Sequence, residues 1–464
     1  MTLNRLTASC VLATVAAASC LRPRNVSAQT PAGAGQPAYW AWAAKPPMGW
    51  NSWDAFATTV TETQIKAQTD YMAGRLARYG WQYVVVDIQW YEPNATGFNY
   101  RRNAPLIMDD YGRLLPAPNK FPSAANGVGF KALADYVHAK GLKFGVHLMR
   151  GIPRQAVVKN TPVLDTPYHA ADVADTTSIC PWNTDMYGVD MSKPGAQAYY
   201  NSVFRQFASW GVDFVKVDDL SRPYHRAEIE GIREAIDRAG RPMVLSTSPG
   251  ETPLTEADHV SRHANMWRMS DDFWDTWPSL KEQFERTRKW APFAAAGHFP
   301  DADMLPIGAI RSAPGYGGGN WTRFTKDEQY TMMTLWSISR SPLIMGGDLT
   351  RNDDFTLSLL TNPEVIAVDQ ASTGNRQVFS RDGHIAWVAE VPNSGDIYLA
   401  VFNTTDTNAD QDTTARAALR ELGWTGAYRV RDLWQRRDLG RFTDAFAQPV
   451  PAHGAALYRI ARAR

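Results

Sequence analysis

Short apolar, β-branched runs alternate along this chain with longer stretches of helical periodicity, and several of the apolar runs stop on a carboxylate. Asp213-Phe214-Val215-Lys216-Val217-Asp218-Asp219-Leu220 is the clearest case, and Tyr83-Val84-Val85-Val86-Asp87 repeats its ending. A run that is apolar on both faces reads as a strand covered on both sides. A carboxylate at the tip of such a strand is costly to bury alone, so the tip has to open onto water or a partner. Parallel strands of this kind need a helical crossover between them, which restricts the fold to a parallel sheet wrapped in helices.

Eight strand signals occur between residues 45 and 370. They lie at Pro47 to Trp53, Tyr83 to Asp87, Leu142 to Leu148, Val212 to Asp218, Met243 to Ser246, Asn265 to Met269, a seventh closing near Asp301 and Asp303, and Pro342 to Gly346. Helical periodicity fills the intervals, as in Thr61 to Tyr79, where Thr61 and Gln64 have the spacing of a capping box. An open doubly wound sheet uses the same units, but no Gly-rich phosphate loop follows the first strand. The expected fold is therefore a (β/α)8 TIM barrel over 45–370. Short alternating segments between Asn, Asp and Gly turns predict a C-terminal antiparallel β-sandwich over 371–464. The polar stretches 92–127 and 151–190 are long for barrel loops and are candidate walls of a binding site.

A formal net charge of +1 offers no electrostatic hold on nucleic acid or an anionic membrane. Seventeen Trp and eighteen Tyr suit either a large core or sugar stacking, and the count alone decides nothing. Arg5, the apolar run Leu6 to Cys20 and the small-residue site before Gln29 predict a signal peptide over 1–28, hence export to the periplasm or medium. A lipid anchor on Cys20 is a secondary expectation. Residues 29–44 read as a flexible lead-in. Cleavage would leave Cys180 as the sole cysteine, so no internal disulfide is expected. No later segment is apolar enough for a membrane span.

The strand ends carry the chemistry. Asp87, Lys216, Asp218, Arg268 and Asp272 fall at the expected C-terminal ends of strands two, four and six, which converge on one mouth in a closed barrel. Two carboxyl groups there suit retaining glycoside hydrolysis, one attacking the anomeric carbon and one handling the proton. Lys216 lies two residues before Asp218, on the same face, and favours its ionised form. Asp271 beside Asp272 is expected to raise the pKa of one of the two, as an acid needs. Metal chemistry competes through Asp87, His147, Asp218 and Asp303, but the histidines lack a His-x-His pair, so metal is not expected.

Pro47-Met48-Gly49-Trp50-Asn51-Ser52-Trp53, Lys216-Val217-Asp218, Trp267-Arg268-Met269-Ser270-Asp271-Asp272, Asp303-Met304-Leu305 and the run Trp336 to Leu343 occur in the order found in the α-galactosidases of glycoside hydrolase family 27, which the chain resembles from Pro46 to the C-terminal region. The resemblance implies a retaining exo-glycosidase without metal or organic cofactor, with Asp218 as nucleophile and Asp272 as acid/base. It implies substrate contacts from Trp53, Asp87, Lys216 and Arg268. Three departures bear on specificity. Ile88 stands where family α-galactosidases usually carry a second aspartate. An apolar residue there disfavours the C6 hydroxymethyl of galactose and resembles the family's β-L-arabinopyranosidases. The alternative is that Ile88 turns into the wall and Gln89 or Trp90 takes its place. Ser248 replaces a usual glutamate and resembles the α-N-acetylgalactosaminidases, although Pro249 does not fit that subgroup. Leu220 replaces a cysteine usually paired with the position of Cys180, leaving Cys180 buried and unpaired and its loop held by packing.

The leading expectation is hydrolysis of terminal α-D-galactosyl residues, then β-L-arabinopyranosides, then α-N-acetylgalactosaminides. A non-catalytic carbohydrate-binding barrel is the reading from another class. The partner in every case is a carbohydrate, and the oligomeric state is not legible.

Overall fold

The computed structural model describes residues 36–313, 320–443 and 446–463. The expected signal peptide and residues 29–35 of the expected lead-in lie outside them. Eight parallel strands form one sheet: β1 (Met48–Asn51), β2 (Tyr83–Val86), β3 (Lys143–Met149), β4 (Phe214–Asp218), β5 (Val244–Thr247), β6 (Met266–Arg268), β7 (Phe299–Asp301) and β8 (Leu343–Met345). Their spatial order is β7-β6-β5-β4-β3-β2-β1-β8. The ring closes between β7 and β8 through Leu305, whose amide donates to Ile344 O at 2.8 Å and whose carbonyl accepts from Gly346 N at 3.1 Å. The eight strand signals of the sequence are these eight strands.

The strands are almost wholly buried, as their apolar composition requires, and helices cover the outer face. The helix Glu62–Tyr71 is opened by the Thr61–Gln64 capping box, with both reciprocal bonds present. It continues as a π turn over Met72–Leu76 and a 3-10 turn over Ala77–Tyr79. Helices Lys131–Ala139, Ala196–Trp210, Arg226–Arg238, Trp277–Trp290 and Lys326–Ser339 supply further crossovers. Gly346, just past β8, has a packing reason: a Cβ there would stand 1.9 Å from Asp54 Oδ2.

The expected lead-in over 29–44 is corrected at its end. Ala38–Ala43 forms a 3-10 helix with Tyr39 buried. The Arg233 guanidinium lies over the Tyr39 ring at 4.3 Å, and Trp40 Nε1 donates to Ser261 O. Ala and Gly hid two aromatic anchors, which fix the segment by packing and cation–π contact.

The C-terminal region carries a six-stranded antiparallel sheet and a two-stranded one. Successive residues of the large sheet serve two cores, as the period of two dictates. Trp387, Ala389, Ala400 and Phe402 join the barrel's core, whereas Val388, Leu399, Val401 and Val430 pack with the helix Thr414–Glu421 and the small sheet. Phe402 meets Phe284 of the helix Trp277–Trp290 at 4.9 Å between ring centroids. Trp434 Nε1 donates to Thr334 Oγ1 at 2.8 Å, and Arg431 pairs with Glu364. One face of the C-terminal sheet thus continues the barrel's apolar core. Phe402→Ala is expected to cost about 3–5 kcal/mol and to lower the urea midpoints of tryptophan fluorescence and of activity together; separate midpoints would show independent folding.

Candidate active site

The residues after β1 set the first wall. Asn51 Nδ2 donates to Asp87 Oδ2 at 2.6 Å, and Asn51 Oδ1 accepts from the Trp53 amide at 2.8 Å. Ser52 Oγ accepts from the Asp87 amide at 2.9 Å. The polar half of the Trp50-Asn51-Ser52-Trp53 motif therefore orients both Trp53 and Asp87. Lys120 steadies the next stretch, with Nζ donating to the carbonyls of Thr58 and Gln89 at 2.7 Å each.

β4 supplies the central charges. Val215 and Val217 are buried among apolar neighbours, which leaves Lys216 and Asp218 on the inner face. Lys216 Nζ lies 3.0 Å from Asp87 Oδ2 and 3.7 Å from Asp218 Oδ1. His147 Nε2, from β3, lies 3.0 Å from Asp218 Oδ2. Burial alone would raise the Asp218 carboxyl, but Lys216, His147 and Arg268 outweigh it and hold the group well below the usual carboxylate range. Asp219 takes a left-handed conformation at φ 66, which Asp tolerates, and its carboxylate pairs with Arg150 at 2.7 Å. It is part of the support beneath Asp218, since Arg150 also binds Glu228 at 2.6 Å.

The end of β6 is organised around Arg268. Arg268 is 2% exposed and spends its guanidinium on protein groups: Nη2 lies 2.7 Å from Asp303 Oδ2 and 3.3 Å from Asp272 Oδ1, and Nη1 lies 3.4 Å from Ser248 Oγ. Arg268 and Ser248 line a small internal cavity under the mouth, together with Asp301 and Asp303. The guanidinium is held by buried carboxylates and reaches the mouth through Asp272. The Asp271 carboxylate is exposed at the rim of the mouth and pairs with Arg222 at 2.7 Å. The raised carboxyls lie deeper. Burial pushes Asp301 up to about 7 and Asp303 up to about 6 against the pull of Arg268, and burial drives Asp54 well above the usual range.

Trp53, Asp87, Ile88, Lys216, Asp218 and Asp272 line one open cavity of about 590 Å³ at the C-terminal ends of the strands. Gln89 and Trp90 turn away, donating to Asp185 Oδ2 and His147 O, so Ile88 is the residue that faces the cavity. The two long loops do form walls. Phe98 and Tyr100 flank Trp53 at ring-centroid distances of 5.3 and 6.0 Å, and Tyr100 meets Trp182 at 5.5 Å. Tyr100 and Trp274 were not legible as site residues; the signals were the length of the first loop and the position of Trp274 two residues after Asp272. The loop carrying Cys180 is held by more than packing. Asp185 accepts from Gln89 at 2.6 Å and from Tyr91 at 3.0 Å, while Cys180 is buried and free.

Asp87, His147 and Asp218 place ligand atoms close enough for a metal ion. The Lys216 ammonium already stands between Asp87 and Asp218, where such an ion would sit. The arrangement offers an ionised, positioned carboxylate facing a half-exposed one across an aromatic-walled cavity, which suits attack on and proton transfer to a bound sugar.

Residues 45–192 and 185–371 match the family model described as alpha galactosidase A, and residues 381–460 match that of the alpha galactosidase C-terminal beta sandwich domain. The chain belongs to the α-galactosidase family, glycoside hydrolase family 27. Alpha-galactosidase 3 of Arabidopsis thaliana is 31% identical, over 89% of this chain and 81% of that protein. The crystal structure of a family 27 β-L-arabinopyranosidase from Geobacillus stearothermophilus superposes with a TM-score of 0.88 at 52% identity, covering 93% of this chain and all of that one. A putative α-N-acetylgalactosaminidase from Bacillus halodurans gives 0.80 at 49%, covering 90% and 97%. As a family member the chain is a glycoside hydrolase acting on carbohydrate, and no helix among the described residues is long and apolar enough to cross a membrane.

Two pH effects follow. Lys216→Met removes the main cation beside Asp218, so the acid limb of kcat/KM should move up by about 1–3 pH units; an unmoved limb would assign the depression elsewhere. Asp301 has a raised folded pKa, so its contribution to stability is full below the ordinary carboxylate range and is lost as pH rises through about 7. Asp301→Asn should therefore be less damaging at pH 8 than at pH 4 by urea titration, and an equal penalty at both would contradict the assignment.

Proposed function

We propose that this protein is an exo-acting, retaining β-L-arabinopyranosidase. The observation that carries the reading is Ile88, which presents an apolar surface to the cavity immediately after the buried, hydrogen-bonded Asp87. β-L-Arabinopyranose is galactopyranose without its C6 group. A wall that cannot accept a hydrogen bond leaves a hydroxymethyl unpartnered and suits the pentose. The 52% identity to an enzyme described as a β-L-arabinopyranosidase supports the same choice. It revises the order expected from the motifs alone, which put galactose first.

In this reading Asp218 attacks the anomeric carbon, Asp272 protonates the leaving oxygen and then activates water, and Asp87 and Lys216 bind ring hydroxyls. Trp53 supplies the apolar platform. Arg268 acts from beneath, holding Asp272 and Asp303. A second reading, α-galactosidase, is favoured by the family models and by relatives such as Alpha-galactosidase 3. The acetamido reading loses support, because Ser248 is engaged with Arg268 below the mouth.

Side-by-side assay of nitrophenyl β-L-arabinopyranoside and α-D-galactopyranoside should give a kcat/KM ratio of about 10-fold or more for the pentose, and Ile88→Asp should reverse the trend. A galactose preference in the parent would sink the proposal. Asp218→Ala should lower turnover by about 10⁴-fold or more while sugar binding persists; substantial turnover would remove Asp218 as nucleophile, and no turnover in the parent would favour the carbohydrate-binding barrel. Proton NMR of the first-formed sugar should show retained anomeric configuration, and inversion would exclude double displacement.

A further inference from the structure

Outside the mouth, on the outer helical layer, two histidines and a carboxylate from separate elements converge. Glu230 lies on the helix Arg226–Arg238, and His259 and His263 are one helical turn apart on and just after the short helix Ala257–Ser261. One potential ligand atom from each lies within 4.8 Å of the other two. His259 Nε2 is 2.9 Å from Glu230 Oε1, and the imidazole rings of His259 and His263 stack at 4.2 Å.

The remaining ring nitrogens determine what this cluster can do. His259 Nδ1 is 2.6 Å from Tyr224 Oη, and His263 Nδ1 is 2.8 Å from the carbonyl oxygen of His259. That carbonyl only accepts, so His263 carries its proton on Nδ1 and leaves Nε2 as a lone pair. Tyr224 Oη can accept from His259 in the same way. Each histidine then has an oxygen partner on Nδ1, the arrangement that orients metal-binding imidazoles, and His259 Nε2 faces the Glu230 carboxylate. His259 is only 8% exposed, so its ring is held rather than mobile.

We propose that Glu230, His259 and His263 form a binding site for one divalent transition-metal ion of the zinc class, which ties the helix Arg226–Arg238 to the turn ending at His263. Two imidazoles and one carboxylate suit zinc, nickel or copper better than calcium or magnesium. Three protein ligands leave a fourth position for water. On binding, the metal replaces the proton shared between His259 Nε2 and Glu230, and that proton leaves to solvent. The ion pair between Arg226 and Glu256 ties the same helix to the 3-10 turn Leu254–Glu256 that leads into Ala257–Ser261.

Zinc chloride titrated calorimetrically into tag-free, full-length protein previously stripped with EDTA should show one saturable equivalent, and cobalt should give the visible absorption of a four-coordinate site. His263→Ala and Glu230→Gln, both at partly exposed positions, should each weaken zinc by about 100-fold or more, and Tyr224→Phe by about 10-fold. Circular dichroism and glycosidase activity of the variants check that they fold. No saturable heat, or an equivalent that survives both His263→Ala and Glu230→Gln, would overturn the site. Neither outcome touches the assignment of the sugar-cleaving residues, which lie at the other face of the strands.

Discussion

The Lys216 ammonium between Asp87 and Asp218 is the interaction on which the mouth depends. Buried carboxylates repel one another and lose hydration, so strand tips that each bring one to the same place do not assemble without an internal cation. Lys216 answers this for β2 and β4, and Arg268 does the same for Asp272 and Asp303. The geometry of the mouth and the polar stability of the barrel interior are therefore one arrangement. The floor below, with Asp301, Asp303 and Asp54, carries more carboxyl groups than cations, and burial accordingly shifts these groups toward their neutral forms.

Most of the barrel was legible because its signals are local. Uninterrupted apolar runs mark strands covered on both faces, and the Thr61–Gln64 spacing marked a helix start that the structure reproduces. Asp218 and Lys216 were legible from phase alone, because the period of a strand decides which side chains share a face. What was not legible is decided by long-range partners. Nothing local announces that the buried Asp303 holds the Arg268 guanidinium. Nor does anything local announce that Arg222, far away in sequence, pairs with Asp271. Tyr39 and Trp40 were hidden by the small residues around them.

The C-terminal sheet illustrates the same limit from another side. Its alternation announced two faces, but nothing local said that one of them would complete the core of the preceding domain. Phe402, Trp387 and Trp434 make it a structural continuation of the barrel, reaching the helices Trp277–Trp290 and Lys326–Ser339.

The loop that brings Trp182 to the cavity is fastened by Asp185 to Gln89 and Tyr91, with Cys180 free and buried beside it. Its cohesion is thus a matter of hydrogen bonds to a carboxylate and not of sulfur oxidation state. This wall of the mouth is indifferent to the redox potential around it: thiol reagents have no bond to cut there, and the loop has no oxidative step to await in folding.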